Sequence, residues 1–423
     1  MALTRTLGLT GGIAMVVTLV IGSGIFSLPA LAIEASGSIT AFLSWLFLSL
    51  VIPLLIIVMA SLGKKYPQTE GIYLYATMAT GQWSKGGVLL LLCSCYFVGS
   101  PALYLVAGSY IADFLDAPQF TLEVSILVII LSHTINLWGI KFLGFLNSIL
   151  VWLVIILIGI IVVISWQFID WTLINANLAD YSFRFDQFWQ ASAILFWAFL
   201  GFENMSFSFG EIKNPHRMIP RIYTAGYLII TVIYLSLAAT LSLINLSGFK
   251  ISGISGLSEI LATNIAHPVL LSTLIFVLIA SANAWTYSIS RVYYSAAISK
   301  LLPNFVSYTT KSANKNPIGA IIFSAAINIL ILLIMKYMKL DPKYYFLLTS
   351  QGFLILMTLA VITYLKYAKR NVERLVGVLS LLIMIFFLQG FTLLLLYPLA
   401  FFMLGTIIFN RHKIVSYLIK KSS

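Results

Sequence analysis

Apolar runs of about twenty residues follow one another from Gly8 to Phe409, with few charged residues between them. A helix of about that length is what a bilayer's hydrocarbon core requires. The strands of a membrane barrel would be about half as long and would alternate apolar with polar positions, which these continuous runs do not. The 423 residues are 61% hydrophobic and 9% charged, with a mean hydropathy of +1.02. A soluble domain carries roughly 25% charged residues. The chain is therefore expected to be an all-α integral membrane protein. No hydrophilic block is long enough for a separate soluble domain. The first run lacks the short apolar core and small-residue cleavage site of a signal peptide, so it is taken as a retained span.

Twelve transmembrane helices are predicted, near 8–32, 38–61, 87–112, 122–139, 144–166, 188–209, 222–245, 268–299, 317–337, 344–365, 374–390 and 391–409, with Gln389-Gly390 turning the chain between the last two. The net charge of +12 then has a topological meaning. With both termini cytoplasmic, only Arg184, Lys250, Lys336, Lys339 and Lys343 of the 25 lysines and arginines fall outside. That bias fixes orientation in the cytoplasmic (inner) membrane. It accounts for the basic charge through the lipid bilayer, with no nucleic acid as partner. Cys93 and Cys95 point to different sides of one helix, and no Cys/His cluster marks a metal site. No metal and no other cofactor is expected.

Two spans break the apolar rule. In the sixth, Gly201 and Glu203 interrupt Phe196–Phe209, and a polar run, Glu211 to Arg221, follows. A carboxylate at membrane depth is tolerated only against a cavity or another helix. The bland alternative is a packing glycine beside a hydrogen-bonded Glu. In the first span, Gly22-Ser23-Gly24 sits midway through the helix. Each interior glycine costs about 1 kcal/mol against alanine, so this triplet is a natural place to unwind. The N–H groups of the half-helix that restarts there attract an anion, and the carbonyls of the half-helix that ends there attract a cation. Together they suit a zwitterion, although a small-residue packing seam has the same composition. Paired interruptions at corresponding places in two halves, spans 1–5 and 6–10, point to a transporter's midplane site.

Other features carry less weight. Residues 64–75, with Tyr66, Tyr73 and Tyr75, suggest a short interfacial helix with its tyrosines at the headgroups. Pro101 is expected to kink the third span. His133 in the fourth is read first as a hydrogen-bonded bundle residue. Segment 167–187 has the composition of an external lid. Thr286, Ser288 and Ser290 in span 8 most simply bond their own backbone. The last two spans are expected to be scaffold or an oligomer surface.

Four pieces in order resemble the amino acid–polyamine–organocation permeases: Gly22-Ser23-Gly24-Ile25-Phe26 with Pro29-Ala30; Pro67 with Gly71-x-Tyr73-x-Tyr75; Phe199-x-Gly201-Phe202-Glu203 with Glu211-x-Lys213-Asn214-Pro215-x-Arg217-x-Ile219-Pro220-Arg221; and Ser290-Arg291-x-x-Tyr294 with Leu302-Pro303 and Asn316-Pro317. Length and short termini are similar to the bacterial branch that exports methionine and branched-chain amino acids. The resemblance implies an inverted five-plus-five (5+5) repeat with helices 1 and 6 unwound, over residues 8–166 and 188–366. Two additional helices (374–409) and a cytoplasmic tail (410–423) would follow. It implies that Gly22, Ser23 and Gly24 meet the substrate carboxylate and that carbonyls near Val20, Trp197 and Leu200 meet its amino group. Ile25, Tyr96, Ser100, Trp197, Phe202 and Trp285 would line the pocket, with Glu203 beside the substrate. Spans 1, 2, 6 and 7 would rock against 3, 4, 8 and 9.

This chain departs from the family at Glu70-Gly71, at Ser299-Lys300-Leu301, and in having no lysine in span 5, where some proton-coupled members carry one. The expected function is secondary active transport of a small neutral or hydrophobic amino acid, as antiporter or symporter, with a proton or sodium as possible coupling ion. Desolvation favours the uncharged form of Glu203, making it the proton-coupling candidate; a fixed hydrogen-bonding role is equally open. A polyamine or other organic cation on the same fold is the alternative substrate. An enzyme is not expected, because no cluster of catalytic side chains accompanies Glu203.

Overall fold

The computed structural model describes residues 5, 7–137, 141–262, 267–310 and 316–422; Ser23 is described in its backbone only. The helices are α1 (Leu9–Val20), α2 (Ser23–Ser36), α3 (Ser38–Lys65), α4 (Gly71–Thr80), α5 (Lys85–Phe114), α6 (Thr121–Leu137), α7 (Lys141–Ser165), α8 (Trp171–Ala179), α9 (Phe185–Leu195), α10 (Phe202–Met205), α11 (Pro215–Leu246), α12 (Ser258–Ala262), α13 (His267–Ile298), α14 (Ile318–Tyr337), α15 (Lys343–Tyr367), α16 (Asn371–Leu388) and α17 (Leu396–Ser422). Among the described residues, eleven helical stretches are long and apolar enough to cross a membrane, so the chain is a multi-pass membrane protein. The stretch expected as the sixth span is not among them. It is cut into α9, a 3₁₀ turn over Phe196–Phe199, α10 and a second 3₁₀ turn over Ser206–Glu211, each too short alone. Between α16 and α17 the chain turns through a 3₁₀ segment, Gln389–Leu395, where Gln389-Gly390 had marked the turn.

The burial pattern separates centre from periphery. In the apolar core of Leu9–Ser36, 94% of residues are buried, and in Gln82–Phe114 89%, against 11% in Leu393–Arg411. The interrupted first helix and α5 form the middle, and the last helix presents its apolar side chains outward, as lipid contact requires. Helix α5 packs on α6, α13, α14, α15 and α17.

Four helices are tied in a ring by buried side-chain hydrogen bonds. Tyr104 of α5 meets Thr286 of α13; Asn136 of α6 donates to Asn283 of α13; His133 Nε2 of α6 lies 3.1 Å from Ser324 Oγ of α14; and Ser100 of α5 donates to Asn328 of α14. His133 Nδ1 sits 2.7 Å from the carbonyl of Ile129. His133 is thus the hydrogen-bonded bundle residue that the sequence suggested.

Helix α4 is helical as expected, but Tyr75 faces the protein interior and not a headgroup surface. Tyr75 is fully buried and donates to Tyr66 O at 3.1 Å, while Thr363 of α15 donates to Tyr75 O at 2.7 Å. Packing against α15 satisfies the polar groups that a lone interfacial helix would leave to water. Among the described residues the only β contact is a parallel bridge between Leu7 and Ile212, which straps the chain ahead of α1 to the end of the interrupted sixth segment. Segment 167–187 contains α8, whose start is capped by the Asp170 carboxylate and whose Asn177 donates to Leu246 O at 2.9 Å.

Candidate substrate site

Helix α1 stops at Val20. Ile21 is extended (φ −80°, ψ 96°), Gly22 has φ −138° and ψ −138°, and α2 restarts at Ser23. The first N–H groups of α2, among them those of Ser23 and Gly24, have no partner within the helix, as at any helix start. The Ser23 hydroxyl lies outside the described residues. In the sixth segment, Leu200 is extended (φ −72°, ψ 137°) and Gly201 has φ +128° before α10 begins. Both expected interruptions are present.

The two breaks touch. A Cβ on Gly201 would lie 2.6 Å from Leu19 O and 2.9 Å from Val20 Cα; one on Gly24 would lie 3.2 Å from both Ala198 Cα and Trp197 Cδ1. Glycine is required at Gly201 by both its left-handed φ and this approach. The freed carbonyls find donors in neighbouring helices. Tyr234 of α11 places its hydroxyl 2.6 Å from Ala198 O and 3.0 Å from Val20 O, so one hydroxyl serves both breaks. Trp285 of α13 donates from Nε1 to Leu19 O at 3.0 Å, and Leu200 N–H donates to Trp197 O at 2.9 Å. Of the carbonyls expected to meet a substrate amino group, that of Trp197 therefore already accepts one hydrogen bond, and that of Val20 shares the single Tyr234 proton with Ala198 O.

Around the junction stands a wall of rings. Trp197 and Trp285 stack with centroids 6.0 Å apart at 16°. Tyr96 is edge-on to Trp285 at 6.1 Å and to Phe353 at 5.6 Å, and Phe346 is edge-on to Trp197 at 5.3 Å. Ile25, Tyr96, Ser100 and Glu203 have no exposed surface, and Val20, Trp197, Leu200, Phe202 and Trp285 retain at most 4%. The centre is closed to solvent. The carboxylate of Glu203 folds back so that both its oxygens accept the Gly201 N–H at 2.9 Å. Phe202 lies against Tyr223, whose hydroxyl donates to Phe202 O at 2.6 Å.

Tyr96, Trp197, Trp285 and the two breaks come together as expected. Ser100 does not turn its hydroxyl to this group. It donates to Tyr96 O at 2.9 Å and to Asn328, toward α14. Three contributors went unseen in the sequence. Tyr234 bridges the breaks, Asn204 accepts from the Tyr96 hydroxyl, and Ser350 shares a helix face with Phe346 and Phe353. Asn204 follows Glu203 directly, and that adjacency was the one available signal.

Replacing Tyr234 by Phe is expected to lower stability by about 1–3 kcal/mol, the cost of leaving a buried acceptor unpaired. Thermal denaturation in detergent reads this out, and an unchanged midpoint would remove Tyr234 as the tie between the breaks.

Two interrupted helices meeting at a sealed, ring-walled centre of a membrane bundle define a carrier for a small solute. The chain belongs to the amino acid permease family, whose model matches residues 7–418. It is 27% identical over 383 residues to the serine/threonine exchanger SteT of Bacillus subtilis (strain 168), covering 87% of this chain and 85% of that protein. It is 26% identical over 303 residues to the L-methionine/branched-chain amino acid exporter YjeH of Escherichia coli (strain K12), covering 70% and 71%. It is 25% identical over 353 residues to the putrescine transporter PotE of Haemophilus influenzae, covering 81% and 77%. These relatives carry amino acids or polyamines. The chain is a member of a transporter family and not an enzyme.

Proposed function

We propose that this protein is a secondary active transporter of small neutral or hydrophobic amino acids, working by alternating access in the cytoplasmic membrane with both termini inside. The observation that carries this reading is the state of Glu203. It is the one fully buried carboxylate among the described residues, and both its oxygens are engaged by a backbone N–H within its own break. A polyamine needs a second uncompensated acid, whereas a zwitterion finds both of its partners in helix ends.

Hydrogen bonds run both within and between the expected moving parts; Tyr110 of span 3, for example, donates to Phe26 O of span 1 at 2.9 Å. Tyr234 joins the breaks of spans 1 and 6 to span 7, and the buried ring joins spans 3, 4, 8 and 9. The Trp285–Leu19 and Tyr96–Asn204 contacts cross between the two groups. A small cavity beside Ile21 is walled by Val151 and Val154 of α7 and by Ser281 of α13, and span 5 carries no lysine. That leaves Glu203 as the proton-coupling candidate and the hydroxyls of spans 1 and 8 as the place for sodium.

The deciding experiment is uptake and counterflow in proteoliposomes loaded with labelled neutral amino acids, with and without a pH gradient or sodium. Stimulation by a neutral amino acid supports the reading. Stimulation by putrescine or cadaverine alone overturns it in favour of the polyamine alternative, which relatives such as PotE make the second reading. Glu203→Gln retains an acceptor for the Gly201 N–H, so the fold is expected to persist. Its transport is expected to lose stimulation by a pH gradient and to show a flat pH profile. An unaltered profile would remove the proton role.

A further inference from the structure

Two polar side chains at the ring-walled centre each keep an unpaired group. Asn204 is 1% exposed; its Oδ1 accepts from the Tyr96 hydroxyl, and its Nδ2 donates to nothing. Ser350 of α15 has no exposed surface, and its Oγ is also unpaired. Serine and threonine in a membrane helix ordinarily bond the carbonyl one turn back. Its neighbour Thr349 does so, donating to Tyr345 O at 2.9 Å. Ser350 does not, and it therefore keeps a donor and an acceptor free. The helix repeat puts residues 346, 350, 353 and 357 on one face. Phe346 of that face touches Trp197, and Phe353 touches Tyr96. Ser350 thus lies on a face that touches Trp197 and Tyr96, and Tyr96 is the ring whose hydroxyl Asn204 holds.

A buried amide N–H and a buried hydroxyl left unpaired each cost about 1–3 kcal/mol. A ligand that pairs both recovers that cost. An aliphatic side chain recovers none. A hydroxyl accepts one hydrogen bond while donating another, so one such group satisfies both orphans, and the surrounding rings favour carbon next to it. We propose that Asn204 and Ser350 form the side-chain subsite and that it selects small amino acids bearing a single hydroxyl over their aliphatic isosteres. This rests on the reading of the junction as a neutral amino acid site, and it narrows that reading.

Threonine and valine are the discriminating pair, since they have nearly the same shape and differ in one hydroxyl. The full chain in proteoliposomes, assayed by counterflow with each labelled compound, is expected to favour threonine by roughly tenfold or more, the size of one well-made buried hydrogen bond. Asn204→Leu is expected to bring the ratio near one, and Ser350→Ala to reduce it several-fold. Protection of the purified variants against thermal unfolding by threonine and by valine gives the same ratio independently of turnover, including for a variant that no longer cycles. A ratio near one in the unmodified protein, or a ratio unmoved in both variants, overturns the subsite while leaving neutral amino acid transport intact. Failure of both compounds with polyamine counterflow present overturns the underlying reading and the subsite with it.

Discussion

Gly201→Ala is expected to abolish transport and to destabilise the protein more than any other added methyl at the two breaks. Two costs coincide at this position. A φ of +128° is a region that residues with a Cβ adopt at a cost of about 1–3 kcal/mol. The new Cβ would also stand 2.6 Å from Leu19 O, 2.8 Å from Leu19 C and 2.9 Å from Val20 Cα. All three are backbone atoms of the other interrupted helix, so no rotamer change relieves the overlap. The breaks must separate, and the shared Tyr234 hydrogen bonds are lost with them. Gly37→Ala is the control, because its φ is +78° but its Cβ would meet nothing within 4 Å. It is expected to show the backbone cost alone and to keep transport. Uptake and thermal midpoint measured side by side decide the matter. Near-normal values for Gly201→Ala would mean that the two breaks do not pack as described.

Gly71→Ala is expected to lower transport by at least about tenfold with the fold retained, since a bias of ~1.4 kcal/mol between conformations is enough for that. Gly71 has φ +50°, and its Cβ would lie 2.1 Å from Ser206 Oγ and 2.8 Å from the Ser206 carbonyl carbon. The next residue, Ile72, donates its N–H to the same Ser206 hydroxyl at 2.9 Å. The methyl therefore pushes the start of α4 away from the segment that follows Glu203. The rest of α4 stays anchored, by Thr363 at Tyr75 O and by the Lys366 ammonium 2.8 Å from Ala79 O. The expected result is a protein that folds but does not close on this side. A cysteine at Phe207 should then react with a membrane-impermeant thiol reagent faster in the Gly71→Ala background than without it, since native Cys93 and Cys95 are buried. Normal uptake with no change in reactivity would show that α4 does not seal this route. The departure from the family at Glu70-Gly71 would then carry no mechanical weight.

Both variants concern glycines, and glycines were what the sequence displayed best. An interior Gly-Ser-Gly triplet and a Gly-Phe-Glu run inside apolar spans go against helix propensity and membrane solvation, so each marks a place where the regular helix gives way. The long apolar runs likewise announced the membrane class, because their length matches the bilayer and almost nothing polar interrupts them. The sixth span shows the limit of that signal. Its hydropathy marks a crossing, but its backbone is four short pieces.

Side-chain direction was not legible. A helix in a soluble protein shows its inner face by an apolar stripe, whereas a membrane helix is apolar all round. Nothing in α11 therefore distinguished Tyr234 as the residue between two breaks, and nothing turned Ser100 toward Asn328 and away from the rings. Tyr75 was misplaced for the same reason: an amphipathic-looking tyrosine suits a headgroup surface as well as a buried contact with α15. The sequence by itself determined a membrane carrier interrupted at Gly22–Gly24 and at Gly201, because length, hydropathy and glycine cost are local properties. Only the tertiary structure decided that these interruptions touch, which carbonyls are already paired, and that the Asn204 amide N–H and the Ser350 hydroxyl are left unpaired, because each depends on which of several apolar faces meets which neighbour.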